Sequence, residues 1–529
     1  MYGFGQIREG YLVWEENVEK IAEKPKVNES LLKTVLFSSA IWGLLAHSMV
    51  LFNKYSFHDD SYHFNDVGAT YESGRWMLGI LGSCTKLFFG SKNYSLPVIN
   101  GAITILFIAM IVYILLDSLK IQSKKMAVLI CGVMVTFPAI TGLFGFMFTA
   151  PYYYFGALMT VVGAWLFHQK KSISSALICA TLMACSTGIY QANISICICS
   201  LLLYMIEDTY DSSGEWKTFW KAAFSNIAVC LGFITEYFLI NRIFLKILNV
   251  TLTDYQGINT FGKTGFLNFI YRVLCGYGSF FYPSTAVVAF SARWFYILWL
   301  ITALLIAGIA LWKMYCKNER KKMLQLILTF AAFPMASCFV YLMVEPWDVH
   351  SLMTFGQTFP FVLSAWLITE PLGDGTLEKC LRGAASFFMC AFVLLNVRYA
   401  NICYLEADIL QAHVISYYNV LISRIQSTEG YTDDMEIIYI GEYDKDIKSV
   451  DVKDNFDWLD TVPYKQSTSV INDYSWKETM KFWCGFAPEL GDAAEFDGNA
   501  EVASMPCYPD QGSIRCINGK IVVKFADEP

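Results

Sequence analysis

The stretch FHDDSYHFND, Phe57 to Asp66, follows directly on the apolar run LLAHSMVLFN. It sets the adjacent carboxylates of Asp59 and Asp60 where a membrane helix would leave the bilayer, with His58 beside them. A carboxylate at that level is suited to general-base work on a polar acceptor brought to the interface. Neighbouring acids repel one another, so one of the pair is favoured to hold a proton. Asp59 and Asp60 are therefore the candidate catalytic residues, and His58 a candidate acceptor ligand. The plainer reading is a solvated acidic loop in which Arg75 only pairs with Glu72. Chemistry with a lipid-linked phosphate would need cations near the same surface, and Arg75 and Lys86 in SGRWMLGILGSCTKLFF are placed for it. Arginine meets phosphate as a bidentate fork. Lys263 and Arg272, further along, are additional phosphate candidates.

Three other stretches could meet a sugar. STGIYQAN carries Tyr190 and Gln191, which can bond hydroxyls or satisfy one another at a helix break. GFITEYFLINR carries Glu236, and an ionisable group within an apolar span is costly enough to suggest a function, or else a structural pair with Arg242. EPWDVHSL offers Trp347, Asp348 and His350: an indole face for a sugar ring and polar groups for its hydroxyls, or an ordinary interfacial anchor. Neither a phosphate-cradling GxxxxGK[ST] nor a GxGxxG is present, so a nucleotide-dependent reaction on the inner side lacks its usual equipment. No CxxC pair or Cys/His cluster suggests a metal centre. No cofactor is expected; a divalent metal is compatible with the outer acids, but nothing demands one.

The elements that must position these residues are membrane helices. Of 529 residues, 55% are hydrophobic and only 16% charged, well below the charged share of soluble domains. Runs such as Leu32–Phe52, Leu96–Leu116, Met126–Phe148, Pro151–Phe167 and Trp220–Ile240 approach or exceed the length needed to cross a bilayer. The uncharged run Ile173–Ile206 is too long for one crossing and divides at Ser186–Asn193. About eleven crossings are expected in all. Lysine- and arginine-rich loops (KIQSKK, HQKK, KMYCKNERKK) alternate with loops free of both (FTAPYYY, STGIYQAN, EPWDVHSLMTF). The positive-inside rule then puts the N-terminus in the cytoplasm and FHDDSYHFND outside. The first 30 residues lack the apolar core of a cleavable signal, so the first helix is expected to serve as an uncleaved anchor. RWMLGILGSCTKLFFGSK reads as an interfacial helix, since counting it as a crossing breaks the alternation.

The expected architecture is an all-α polytopic membrane protein with a small extracytoplasmic α+β domain at its C-terminus. Residues 1–31 form a cytoplasmic segment, 32–400 the transmembrane domain with outer loops 53–95, 249–285 and 345–356, and 401–529 the outer domain. In that last part EIIYIGEY and KIVVKF read as strands and SWKETMKFWCGF as a helix. Whether Cys507 and Cys516 form a disulfide is left open by the sequence.

Three motifs in order, DDSYHFND…YESGRWMLGIL, CSTGIYQANIS and MPCYPDQGSIRCINGKIVVKF, resemble the type II O-antigen glucosyltransferases, serotype-converting membrane enzymes of the Gtr group. The resemblance implies a GT-C-like architecture with a site facing away from the cytoplasm. It implies a polyprenyl-phosphate-linked sugar, glucose being expected, as donor and a surface polysaccharide as acceptor. It assigns the acidic residue of the first outer loop to Asp59 and Asp60, and the basic residue that meets the donor phosphate to Arg75. The lipid bilayer is the remaining partner, and no nucleic acid is expected. Three other classes compete, one of them a non-enzymatic surface-binding membrane protein whose work is done by the tail. A lipid-glycan transporter would show paired halves with broken, charged helices, and no such repeat appears. A polysaccharide polymerase or ligase would carry an arginine-rich outer loop, whereas Val250–Ser284 holds a single arginine and a single lysine.

Overall fold

The computed structural model describes residues 27–55, 59–90, 92–253, 265–284, 287–373, 375–441 and 476–527. Among these, the chain is helical except for a small sheet near the C-terminus. The helices that frame the molecule are α1 (Glu29–Phe52), α2 (Asp59–Tyr62), α3 (Trp76–Phe89), α4 (Pro97–Ser118), α5 (Lys124–Thr136), α6 (Ala150–Lys170), α7 (Ile173–Ile189) and α8 (Ile194–Asp211). They are followed by α9 (Trp216–Leu248), α10 (Phe266–Phe281), α11 (Phe290–Cys316), α12 (Arg320–Ser337), α13 (Phe359–Thr369) and α14 (Thr376–Gln426).

Helix starts follow local chemistry. Asn28 caps α1 by accepting from the Leu31 N–H at 3.1 Å, and Ser172 forms a capping box with Ser175 ahead of α7. Within hydrocarbon every backbone group must be satisfied inside its own helix. Capping side chains therefore mark where the chain meets water. Among the described residues, seven helices are long and apolar enough to cross a membrane by length and composition, against the about eleven crossings expected. The shortfall has local causes. The run Ile173–Ile206 does break, at Tyr190–Asn193, but this leaves α7 with 17 residues. Three tyrosines and the polar end HQK lower the apolar character of α6.

Burial sorts the spans into layers. The continuous span Lys124–Phe146 is 94% buried and forms the central post, whereas Trp216–Leu248 is only 17% buried. On α9 the apolar side chains Phe224, Leu231, Leu239 and Ile247 face outward, as expected of a helix whose solvent is lipid. Inside the bundle one polar tie stands out. The buried His47 on α1 bonds the Tyr404 hydroxyl of α14 at 2.8 Å and the Val135 carbonyl of α5 at 2.9 Å. A polar group in an apolar core is tolerated only when so paired.

Two expected boundaries look different in three dimensions. The segment 249–285, expected as an outer loop, contains a helix, α10, with Phe266, Leu267 and Leu274 exposed along one side. Helix α14 runs unbroken for 51 residues through Asn401, so the irregular tail begins after Gln426. Beyond it lie β1 (Ile437–Ile440), α15 (Trp476–Cys484), β2 (Ile514–Ile517) and β3 (Lys520–Lys524). The strands EIIYIGEY and KIVVKF and the helix SWKETMKFWCGF thus form where the sequence pattern puts them. The sheet has the order β1-β3-β2, with β1 parallel and β2 antiparallel to β3. Asn518 and Gly519, both with positive φ, make the tight turn between β2 and β3, the residue pair such a hairpin favours. Cys507 and Cys516 are both free thiols. The N-terminal segment expected in the cytoplasm falls mostly outside the described residues.

Candidate active site

The two adjacent aspartates have different surroundings. Asp60 is fully buried, and its Oδ2 forms an ion pair with Lys54. Its Oδ1 accepts from the Ser95 hydroxyl at 2.7 Å, and Lys54 also donates to Ser95 at 2.7 Å. A buried charge survives only when paired in this way. Asp59, at the first position of α2, is half-buried.

Arg75 is where the structure gathers residues that are far apart in the chain. Tyr153 of α6 and Tyr190, at the α7–α8 break, stack face to face with centroids 4.0 Å apart. The Arg75 guanidinium lies 5.8 Å from both ring centroids, in cation–π range. Trp76, the next residue, is buried against Gly188, where an added Cβ would come within 2.5 Å of the indole. A side chain at position 188 would therefore push α3 away from α7. Arg75, Thr187, Tyr190, Gln191 and Tyr237 supply the polar groups of a cavity whose remaining lining is apolar, with Ile234 and Phe238 from α9 and Phe339, Met343 and Met353 among it.

Around this centre, the acidic loop is braced. His63 and Asp66 bond at 2.8 Å, and the Gly68 N–H donates to Asp66 at 2.7 Å. Burial presses the Asp66 carboxyl upward, but these two hydrogen bonds outweigh it and hold the carboxyl below its ordinary value. The tail reaches the same loop. Phe482 of α15 stacks on Phe64 at 4.6 Å, and the Thr479 hydroxyl donates to Ser61 at 3.4 Å.

Other sequence candidates sit elsewhere or carry other partners. Arg272 is buried in α10 and paired with Glu345, so its side chain is engaged in joining α10 to the loop after α12. Lys86 is exposed on the outer part of α3, beside the exposed Leu87 and Phe88. Glu236 accepts from Thr181 at 3.2 Å, linking α9 to α7 in place of the expected pair with Arg242. Trp347 is 72% exposed, and His350 is partly buried. Burial pushes the His350 imidazole below its ordinary range, against the opposing pull of Asp348. Gln191 directs its amide nitrogen to the Ser73 carbonyl at 2.7 Å, a backbone partner that its sequence context did not suggest. His58 and Lys263 lie outside the described residues. Among the described residues, no three His, Cys, Asp or Glu side chains are grouped so as to hold a metal ion.

Residues that sequence reasoning passed over are Lys54, Ser95, Tyr153 and Tyr237. Lys54 was the most legible, standing just ahead of the acidic cluster. Tyr153 was hidden in the tyrosine run APYYYF, where nothing local distinguishes one ring from the next.

Comparison with known proteins places these residues in a family. The family model "Glucosyl transferase GtrII" matches residues 48–361, more than half of the chain, and this stretch includes Asp59, Asp60, Arg75, Tyr190 and Gln191. The tail motif MPCYPDQGSIRCINGKIVVKF lies beyond the match. No curated protein and no solved structure matches the chain. With that match over its acidic loop, its Arg75 centre and most of its helices, the chain belongs to the glucosyl transferase GtrII family.

Proposed function

We propose that the protein transfers glucose from a polyprenyl-phosphate donor to a surface glycan on the outer face of the membrane. The observation that carries this reading is a largely apolar cavity that holds Arg75 in its lining. An isoprenoid chain suits walls made of Ile234, Phe238, Phe339 and Met343, and a phosphate suits the guanidinium.

In this mechanism the acceptor hydroxyl oxygen bonds to the anomeric carbon while the bond from that carbon to the phosphate oxygen breaks. The bonding pair leaves with the polyprenyl phosphate, and Arg75 stabilises the charge that develops there. The hydroxyl proton passes to Asp59, the half-buried member of the pair. Asp60, held by Lys54 and Ser95, keeps α2 in place. One acting carboxylate supports a single displacement with inversion at the anomeric carbon. The site needs no metal in this scheme. A GT-C-like arrangement with the N-terminus inside and the tail outside agrees with the alternating loop charges.

The test uses the full chain in lipid nanodiscs with polyprenyl-phosphate carrying radiolabelled glucose and an isolated surface polysaccharide. The expected result is label on the polysaccharide with the wild type and none with Asp59→Asn. Failure of the wild type to move label, or full activity of Asp59→Asn, overturns the reading.

A further inference from the structure

Arg75 projects from a short turn, and that turn is held by groups brought from three distant parts of the chain. The carbonyls of Glu72, Ser73 and Gly74 each accept a long-range bond. Thr253 donates to the Glu72 carbonyl from its N–H at 2.9 Å and from its hydroxyl at 3.1 Å. Gln191 donates to the Ser73 carbonyl at 2.7 Å. The Tyr237 hydroxyl of α9 donates to the Gly74 carbonyl at 3.1 Å and itself accepts from Gln191 at 3.3 Å.

The turn is also closed sterically. Gly74 adopts a left-handed conformation at φ +70°, and a Cβ there would come within 2.6 Å of the Tyr237 oxygen and 3.2 Å of the Gln191 amide nitrogen. Local bonds from Gly74 N to the Tyr71 carbonyl (3.0 Å) and from Arg75 N to the Thr70 carbonyl (2.8 Å) complete it. The backbone that aims the Arg75 side chain thus has few alternatives while Tyr237 and Gln191 keep their bonds. A guanidinium recognises phosphate through two parallel bonds, so its affinity depends steeply on orientation.

We propose that Tyr237 and Gln191 are positioning residues. They fix the Ser73–Gly74 turn so that Arg75 meets the donor phosphate in the productive orientation. The inference rests on the reading that Arg75 binds that phosphate. It also accounts for Gln191 without requiring it to touch sugar.

The test compares Tyr237→Phe, Gln191→Glu, Arg75→Ala and the Arg75→Ala/Tyr237→Phe double variant in nanodiscs. Each is measured for its KM toward polyprenyl-phosphate glucose, its KM toward the polysaccharide acceptor and its thermal midpoint. Tyr237→Phe keeps the ring in place and deletes only the hydroxyl. It should raise the donor KM about three- to tenfold, the range of one lost hydrogen bond, and leave the acceptor KM and thermal midpoint unchanged. Gln191→Glu should shift the donor KM in the same direction, and the double variant should be no worse than Arg75→Ala alone. An unchanged donor KM in Tyr237→Phe, with a raised one in Arg75→Ala, overturns this inference and leaves the proposed function standing. Equal rises in both KM values together with a lowered midpoint overturn it as well, since that is the mark of a merely structural bond. An unchanged donor KM in Arg75→Ala would remove the role of Arg75 itself.

Discussion

Replacing each of the two adjacent aspartates by asparagine separates chemistry from structure. Asp60 is fully buried and Lys54 only 16% exposed, so Asp60→Asn leaves an ammonium in a poorly solvated site without its counter-charge. Removing one partner of a buried pair costs about 3–5 kcal/mol, because the remaining charge keeps its desolvation penalty. Ser95 loses a charged acceptor at 2.7 Å as well, although an amide oxygen can still take its hydroxyl. The upper part of that range is thus not required, and about 3 kcal/mol is the working figure. Asp59 is only half-buried, and Asp59→Asn should cost about 1 kcal/mol, the centre of the range for single substitutions and well below the cost of Asp60→Asn. Unfolding of the purified variants in detergent, followed by intrinsic fluorescence, measures the first quantity, and glucosyl transfer measures the second. The expected pattern is an unstable Asp60→Asn with residual transfer in the folded fraction, and a stable, inactive Asp59→Asn. The double variant Lys54→Met/Asp60→Leu should recover most of the stability, since neither charge is left behind. A stable, inactive Asp60→Asn beside an active Asp59→Asn would refute the assignment of roles.

Three further outcomes follow from contacts around the site. Gly188→Ala puts a methyl within 2.5 Å of the Trp76 ring, and should cost about 1–3 kcal/mol of stability together with donor use, read by unfolding and transfer assays. Phe482→Ala removes the stack on Phe64 at 4.6 Å, a loss of about 0.5–1.5 kcal/mol beyond the lost burial, and limited proteolysis should cut the tail faster than in the wild type. The Asp66 carboxyl is held below its ordinary value, so its contribution is present above the unfolded value of 3.8 and fades as pH falls through the lower folded value. Asp66→Asn should therefore flatten the acid limb of the stability–pH curve while barely changing its shape near neutrality.

The parts of the molecule legible in the sequence are those decided over a few neighbouring residues. Apolar length gave the principal spans because a membrane helix satisfies its own backbone and needs only a greasy exterior. The break within Ile173–Ile206 followed from length, and the strands of the tail from the short-range pattern of EIIYIGEY and KIVVKF. That acids cluster after the first helix was plain, and Arg75 stood close enough in sequence to be linked with them. What sequence could not decide is which direction each side chain takes once distant helices pack. Asp59 and Asp60 are neighbours with the same chemistry, yet Lys54 and Ser95 claim only one of them. Arg272 was an additional phosphate candidate, and its partner in the fold is Glu345, 73 residues away. Gln191 had no local reason to choose the Ser73 carbonyl, 118 residues earlier. Hydropathy and turn propensity act along the chain and can be read from it. The pairing of buried charges and carbonyls is a competition among all groups that the packed helices bring within reach, and only the tertiary structure fixes which of them arrive.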